Sequence, residues 1–232
     1  MIETVDMADA GEGLLIMPDG AQWLYVFAHG AGAGMRHSFM EAAARALGER
    51  GIATLRYEFP YMAAGAGRPD PAPRLEAHTR RVVEHAAGAY PELRLVAGGK
   101  SMGGRMTSRA QAAAPMPRVE ALIFFGFPLH PPKKPSAERA DHLRDVRTPM
   151  LFLQGTRDDL ADLTLLRSVA EPLGPLATLH VVDGADHSFA VLKRSGRTNN
   201  DVLAELGDTV SAWLRDRGMR VPDAVPSPPL RA

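Results

Sequence analysis

Residues 93–105 read Leu-Arg-Leu-Val-Ala-Gly-Gly-Lys-Ser-Met-Gly-Gly-Arg. An apolar, strand-like run (LRLVA) enters a turn of small residues, and a helical pattern follows over Met102–Ala113. Within the turn, Gly99-Lys100-Ser101-Met102-Gly103 fits G-x-S-x-G. That pattern places a serine on a sharp strand-to-helix turn, where small neighbours tolerate strained dihedrals and the hydroxyl stands clear of the sheet. The plainer reading is a Gly-rich turn with Ser101 as a helix N-cap. The two readings separate on whether a base and an orienting acid stand elsewhere in the chain, in the right order.

Outward from this turn, β-like runs alternate with helical segments at a spacing of roughly 25–30 residues, which predicts a mostly parallel sheet covered by helices. The expected strands are Ile2–Val5 and Leu14–Met17 (an antiparallel start), Trp23–Ala28, Ile52–Tyr57, Leu93–Ala97, Val119–Phe125, Met150–Gln154 and Ala177–Val182. Helices are expected after Ser38, over Leu75–Ala87, Met102–Ala113, Ala140–Asp145 and Leu160–Glu171, and over Asn200–Arg215. Ser38 and Glu41 match a capping box. Phe39, Ala43 and Leu47 then recur on one face. Residues 1–218 read as one domain, and the Pro-rich stretch 219–232 as a flexible tail. The stretch Pro60–Pro73 reads as a loop.

A serine hydroxyl is a weak nucleophile until a base takes its proton. His187, in Gly-Ala-Asp-His-Ser-Phe, follows the last strand, so it falls at the carboxyl edge of the sheet with Ser101. Taken alone it could equally be a surface-loop histidine. The base needs an orienting carboxylate. Asp158, in Gln-Gly-Thr-Arg-Asp-Asp, is read as that acid and Asp159 as the cap of the helix from Leu160; Asp183 and Asp186 are weaker candidates for the acid. The order Ser101, Asp158, His187 is that of α/β-hydrolases. An oxyanion hole would draw on the backbone N–H of Met102 and on the turn His29–Gly34, with Ala31 the favoured donor and Gly30 and Gly32 alternatives. The Gly-rich turn fits neither the phosphate-loop pattern nor the dinucleotide fingerprint.

Composition excludes several classes. The 232 residues carry 27 Lys plus Arg and 27 Asp plus Glu, so no basic footprint points to nucleic acid. Cysteine is absent, which removes disulfides, thiolate metal sites and cysteine nucleophiles. No apolar run is long enough to span a bilayer. The acidic N-terminus shows no secretory signal pattern, so a cytoplasmic setting is expected.

Taken together, these residues identify a resemblance. The chain resembles α/β-hydrolases of the dienelactone-hydrolase-like kind, and more closely the group that includes testis-expressed protein 30 and the hydrolase-like domain of NSL complex subunit 3. The similarity runs through AHGAGAGM (28–35), RYEFPYM (56–62), GGKSMGGR (98–105), FGFPLHPPKKP (125–135), QGTRDDL (154–160) and GADHSF (184–189). It implies a doubly wound sheet of about seven or eight strands, with Ser101 as nucleophile, Asp158 as acid and His187 as base. It implies no particular substrate. Its chromatin-associated members act as complex subunits, which supplies the alternative function: a non-catalytic binding or assembly module.

The remaining expectations concern the surroundings. Glu58, Tyr61 and Met62 are candidate substrate-binding residues at the carboxyl end of Ile52–Tyr57, although Phe59 and Tyr61 also read as core or rim packing. Glu58 is expected to pair with Arg105 or Arg56, or to be a surface carboxylate. Lys100 is expected to face an acidic group or a substrate carboxylate, or to be solvated. The short Pro-rich connection after Val119–Phe125 predicts no substantial lid. The function expected is hydrolysis of a small carboxylic ester, thioester or lactone, with no metal, no cofactor and a monomeric or homodimeric state.

Overall fold

A computed structural model describes residues 1–218. The expected tail, 219–232, lies outside the described residues. Eight strands form one sheet: β1 (Glu3–Asp6), β2 (Glu12–Ile16), β3 (Trp23–Ala28), β4 (Ile52–Tyr57), β5 (Arg94–Lys100), β6 (Val119–Phe125), β7 (Met150–Arg157) and β8 (Ala177–Asp186). Their order is β1-β2-β4-β3-β5-β6-β7-β8. β1 and β2 join antiparallel, and every pair from β4–β3 to β7–β8 is parallel. The helices are α1 (Ser38–Gly48), α2 (Pro60–Ala63), α3 (Ala72–Ala89), α4 (Met102–Ala113), α5 (Leu163–Ala170) and α6 (Asn199–Gly218).

The two-residue period of a strand decides which core each side chain joins. Trp23, Tyr25 and Phe27 of β3 pack with Ile123 and Phe125 of β6 and Leu151 and Leu153 of β7 under α1 and α6. The alternate residues, Leu24, Val26, Leu122, Phe124 and Phe152, face the other way, against α3, α4 and α5. Strands buried on both faces read as continuous apolar runs, which is why WLYVFA and VEALIFF stand out in the sequence. Val202, Leu206, Val210 and Trp213 form the inward stripe of α6. The phenol of Tyr25 crosses to the carbonyl of Ile123 at 2.8 Å, so its burial leaves no polar group unpaired.

Several boundaries differ from expectation. β5, β7 and β8 each run further toward their carboxyl ends than the apolar runs suggest. Their last residues are the polar, Gly-rich segments of the site, held as strand by neighbours rather than by propensity. The cap of α1 is His37, whose Nδ1 accepts from Phe39 N–H at 3.2 Å; Ser38 is already helical, and Glu41 pairs instead with Arg45. The helix expected from Leu160 starts at Leu163, capped by Asp162 rather than Asp159. The segment near Ala140–Asp145 is a 3-10 turn, Glu138–Asp145. Pro60–Pro73 contains the short α2, with proline at its first position.

Between β6 and β7 the chain builds only that 3-10 turn, so among the described residues no lid covers the carboxyl edge. Phe27 is fully buried, with its ring 4.7 Å from Tyr25 and 5.3 Å from Phe125. Phe27→Ala is expected to lower unfolding free energy by about 3–5 kcal/mol, read as a lower urea midpoint at unchanged slope.

Candidate active site

Four strands deliver the site. β3, β5, β7 and β8 all end at the same edge of the sheet, where parallel α/β sheets hold their ligands. β5 lies between β3 and β6, with Gly99 opposite Ala28 and Lys100 opposite Phe125. The next residue, Ser101, turns the chain into α4 with φ +52° and ψ −118°. A side-chain-bearing residue rarely adopts positive φ, at a cost of about 1–3 kcal/mol. Here it is held at both ends: Ser101 N–H donates to the Phe125 carbonyl at 3.0 Å, and the Ser101 carbonyl accepts from Arg105 N–H at 3.2 Å. Close packing of the turn excludes side chains: a Cβ on Gly103 would lie 2.5 Å from the carbonyl oxygen of His29.

Ser101 occupies the N-cap position but makes no cap bond. Its hydroxyl meets His187 Nε2 at 2.9 Å. His187 Nδ1 meets Asp158 Oδ2 at 2.7 Å. A carboxylate only accepts, so the hydrogen sits on Nδ1 and Nε2 is left to accept from the serine. The Asp158 side chain is fully buried, and that of His187 is 24% exposed. The burial of Asp158 is compensated. Its Oδ2 also accepts from Gln154 Nε2 at 2.5 Å, and its Oδ1 from Leu160 N–H at 2.8 Å. The sequence reading missed Gln154; its place at the end of the apolar run Met150–Leu153 of β7, four residues before the acid, is the available signal.

Each partner stands on a braced turn. Asp186 Oδ1 accepts from Ser188 N–H and Ala190 N–H, closing the turn that carries His187. Asp186 is therefore a turn former, not the acid beside His187. His130, in the Leu-His-Pro-Pro motif, accepts Asp162 N–H on Nε2 at 3.0 Å and donates from Nδ1 to the Pro131 carbonyl at 2.9 Å. With Leu129 and His130 N–H both bonded to the Leu160 carbonyl, this motif pins the segment after Asp158.

The turn after β3 is organised by His29. Its Nε2 accepts Phe59 N–H at 3.0 Å, so Nδ1 donates to the Gly30 carbonyl at 2.7 Å. Burial lowers the pKa of this imidazole, which keeps it neutral and in that tautomer. In a trans peptide N–H and C=O point in opposite directions, so the Ala31 N–H faces away from His29. Ala31 lines both cavities that open on Ser101. Met102 begins α4, so its N–H has no intrahelical acceptor.

One cavity, of about 290 Å³, is walled by Ala33, Phe39, Met40 and Leu160 beside His187. The other, of about 330 Å³, lies along Met102, Arg105, Met106 and Arg139. Glu58, Tyr61 and Met62 line neither. Glu58 and Met62 border a separate cavity near Met35, and Tyr61 is buried. Glu58 pairs with neither Arg105 nor Arg56; Oε2 accepts Met35 N–H at 3.2 Å, and Arg56 donates to the Met35 carbonyl at 2.9 Å. Arg56 of β4 and Glu58 just past its end thus clamp Met35 of the turn. Among the described residues no cluster suited to a metal ion occurs, and no helix is long and apolar enough to cross a membrane.

A parallel sheet wound by helices on both faces, with a serine on a strained strand-to-helix turn at its carboxyl edge, defines the α/β-hydrolase class. The family model of the alpha/beta hydrolase domain matches residues 21–215, and the chain belongs to this family. It is similar in structure to a dienelactone hydrolase from Anabaena variabilis, at TM-score 0.71 and 21% identity, covering 93% of this chain and 96% of that one. It is also similar to a lidless α/β serine hydrolase from Xanthomonas campestris, at TM-score 0.70 and 24% identity, covering 92% and 94%. Est1E from Butyrivibrio proteoclasticus aligns at TM-score 0.69 and 16% identity, covering 93% and 98%.

The backbone of Ser101 gives a direct test of the turn. Because glycine adopts positive φ freely, Ser101→Gly is expected to exceed Ser101→Ala in stability by about 1 kcal/mol in paired urea melts. Equal stabilities would contradict a strained elbow.

Proposed function

We propose that the protein is a lidless serine hydrolase acting on small carboxylic esters, thioesters or lactones through an acyl-enzyme. The observation that carries this reading is the continuous hydrogen-bonded chain Ser101–His187–Asp158, at 2.9 and 2.7 Å. Ser101 Oγ attacks the carbonyl carbon while its proton passes to His187 Nε2. Asp158 holds the ring by Nδ1–H and stabilises the imidazolium. The carbonyl oxygen becomes an oxyanion that accepts from the N–H groups of Met102 and Ala31, at the positive end of α4. On collapse the bond to the leaving oxygen or sulfur breaks, and His187 returns its proton to that atom. Water then adds to the acyl carbon by the same route, releasing the acid and restoring Ser101.

The two cavities suggest how a substrate divides. The apolar space at Phe39 and Met40 suits a short acyl chain, and the channel past Arg105 and Arg139 suits the leaving group. Glu58, Tyr61 and Met62 stand outside this assignment. The motifs GKSMGGR and LHPP support placing the chain beside testis-expressed protein 30 within the wider family.

Intact-mass detection of fluorophosphonate labelling tests the reading. Wild type is expected to gain one adduct at Ser101, and Ser101→Ala none. With 4-nitrophenyl acetate or butyrate, Ser101→Ala and His187→Ala are each expected to lose about 10³-fold or more in kcat/KM. A folded wild type that neither labels nor turns over these esters refutes the hydrolase reading and leaves a binding module.

A further inference from the structure

Lys100 precedes the serine and, of the expectations read from the sequence, meets that of facing an acidic group, Asp158. The residue is only 9% exposed, and its ammonium nitrogen is buried without a hydrogen-bond partner. It is neither solvated nor free to meet a substrate carboxylate. Asp158 makes its three hydrogen bonds to His187, Gln154 and Leu160 N–H, and none to this amine.

Gly126 reports where the nitrogen lies. A Cβ built there would sit 3.1 Å from Lys100 Nζ, 3.4 Å from Asp158 Oδ2 and 3.4 Å from His187 Cε1. Amine, carboxylate and imidazole therefore converge on one point, which is open because residue 126 is a glycine at φ +67°. The opposite wall is aromatic. Nζ lies 5.8 Å from the ring centroid of Phe39 and 5.7 Å from that of Phe189, and these two rings stack on each other. Ring faces attract a cation, and their low polarity leaves its field poorly screened.

We propose that Lys100 is a positioning residue for the catalytic group, whose ammonium opposes a second positive charge on His187 and keeps that imidazole available as a base at lower pH. The proposal rests on the hydrolase reading for its consequence, and on the packing around Gly126 for its cause. The ionisable groups around the amine are Asp158 and His187 at the convergence, Asp186 behind them, and His37 across the shared cavity. Burial brings the Lys100 amine down to about 8, with Asp158 and Asp186 pulling it back up. Below that pH the ammonium is charged and acts on His187. Above it the charge fades, and with it the effect.

The sign follows from Coulomb repulsion. Without the ammonium, His187 accepts a proton more readily, so activity fails at a higher pH on the acid side. Stability gives a second sign. The unfolded chain holds the Lys100 proton up to the ordinary lysine range, while the folded chain releases it near 8. Folding is therefore disfavoured below pH 8 and gains stability as pH rises from 8 toward 10. Lys100→Met removes this penalty and keeps the side-chain length, so it is expected to melt at or above wild type at pH 7.

The test pairs kcat/KM for 4-nitrophenyl acetate over pH 5–9 with an NMR titration of the His187 Cε1–H signal, assigned through His187→Asn. In Lys100→Met both the acid limb and the NMR midpoint are expected to rise by about half a pH unit or more, about threefold in relative activity low on the limb. The profiles should converge toward pH 9. Limb and midpoint unmoved within about 0.2 unit would overturn the proposal, whatever the labelling result. If neither protein turns over ester, the hydrolase reading fails, and the NMR midpoint alone decides whether Lys100 acts on the imidazole.

Discussion

The backbone of Ser101 is the constraint on which the site depends. A residue with a side chain at φ +52° must be held there by its neighbours, and here the whole centre of the sheet does so. β5 is paired on both sides, so its end cannot shift to relieve the turn. The Ser101 N–H is bound to the strand beside it, and the Thr107 hydroxyl ties α4 to the Gly98 carbonyl of β5 at 3.3 Å. The strain is stored at the centre of the sheet. It keeps the hydroxyl out of the capping bond that a serine at a helix start would otherwise make, and leaves it for His187.

Around this fixed point, the other groups arrive on loops, and loops are made rigid by side chains that bind backbone. Asp186 closes the His187 turn. His130 and Gln154 secure the segment carrying Asp158. His29, Arg56 and Glu58 brace the Gly-rich turn after β3. Each of these residues satisfies main-chain groups that would be costly to bury unpaired. Lys100 differs from them: its ammonium nitrogen is buried with no hydrogen-bond partner. Its position beside the imidazole is what distinguishes it from these structural residues.

Much of this was legible in the chain. The apolar runs of β3 and β6 and the helical stripe of α6 stand out because each is buried on a regular period. Ser101, Asp158 and His187 were legible because the chemistry restricts residue type and each closes a strand. The misreadings have a common cause. Ser38 with Glu41, and Asp159 before Leu160, satisfy local rules for a cap, but α1 begins one residue earlier and α5 three residues later than those rules place them. Glu58 was matched to Arg56 and Arg105 by charge alone. In the fold its carboxylate is turned toward the Met35 backbone, and Arg56 reaches the other side of the same residue.

The sequence by itself determined the class of fold, the strand that carries the elbow and the order of the three interacting residues. These depend on local periodicity and on residue chemistry, both of which are written along the chain. Only the tertiary structure decided which residues line the cavities at Ser101, which buried groups hold Asp158, and where the Lys100 amine comes to rest. Those outcomes depend on the meeting of segments distant in sequence, such as Phe39 with Phe189 and Gly126 with His187. Such distances are set by packing the two cores against one sheet, and no local pattern encodes them.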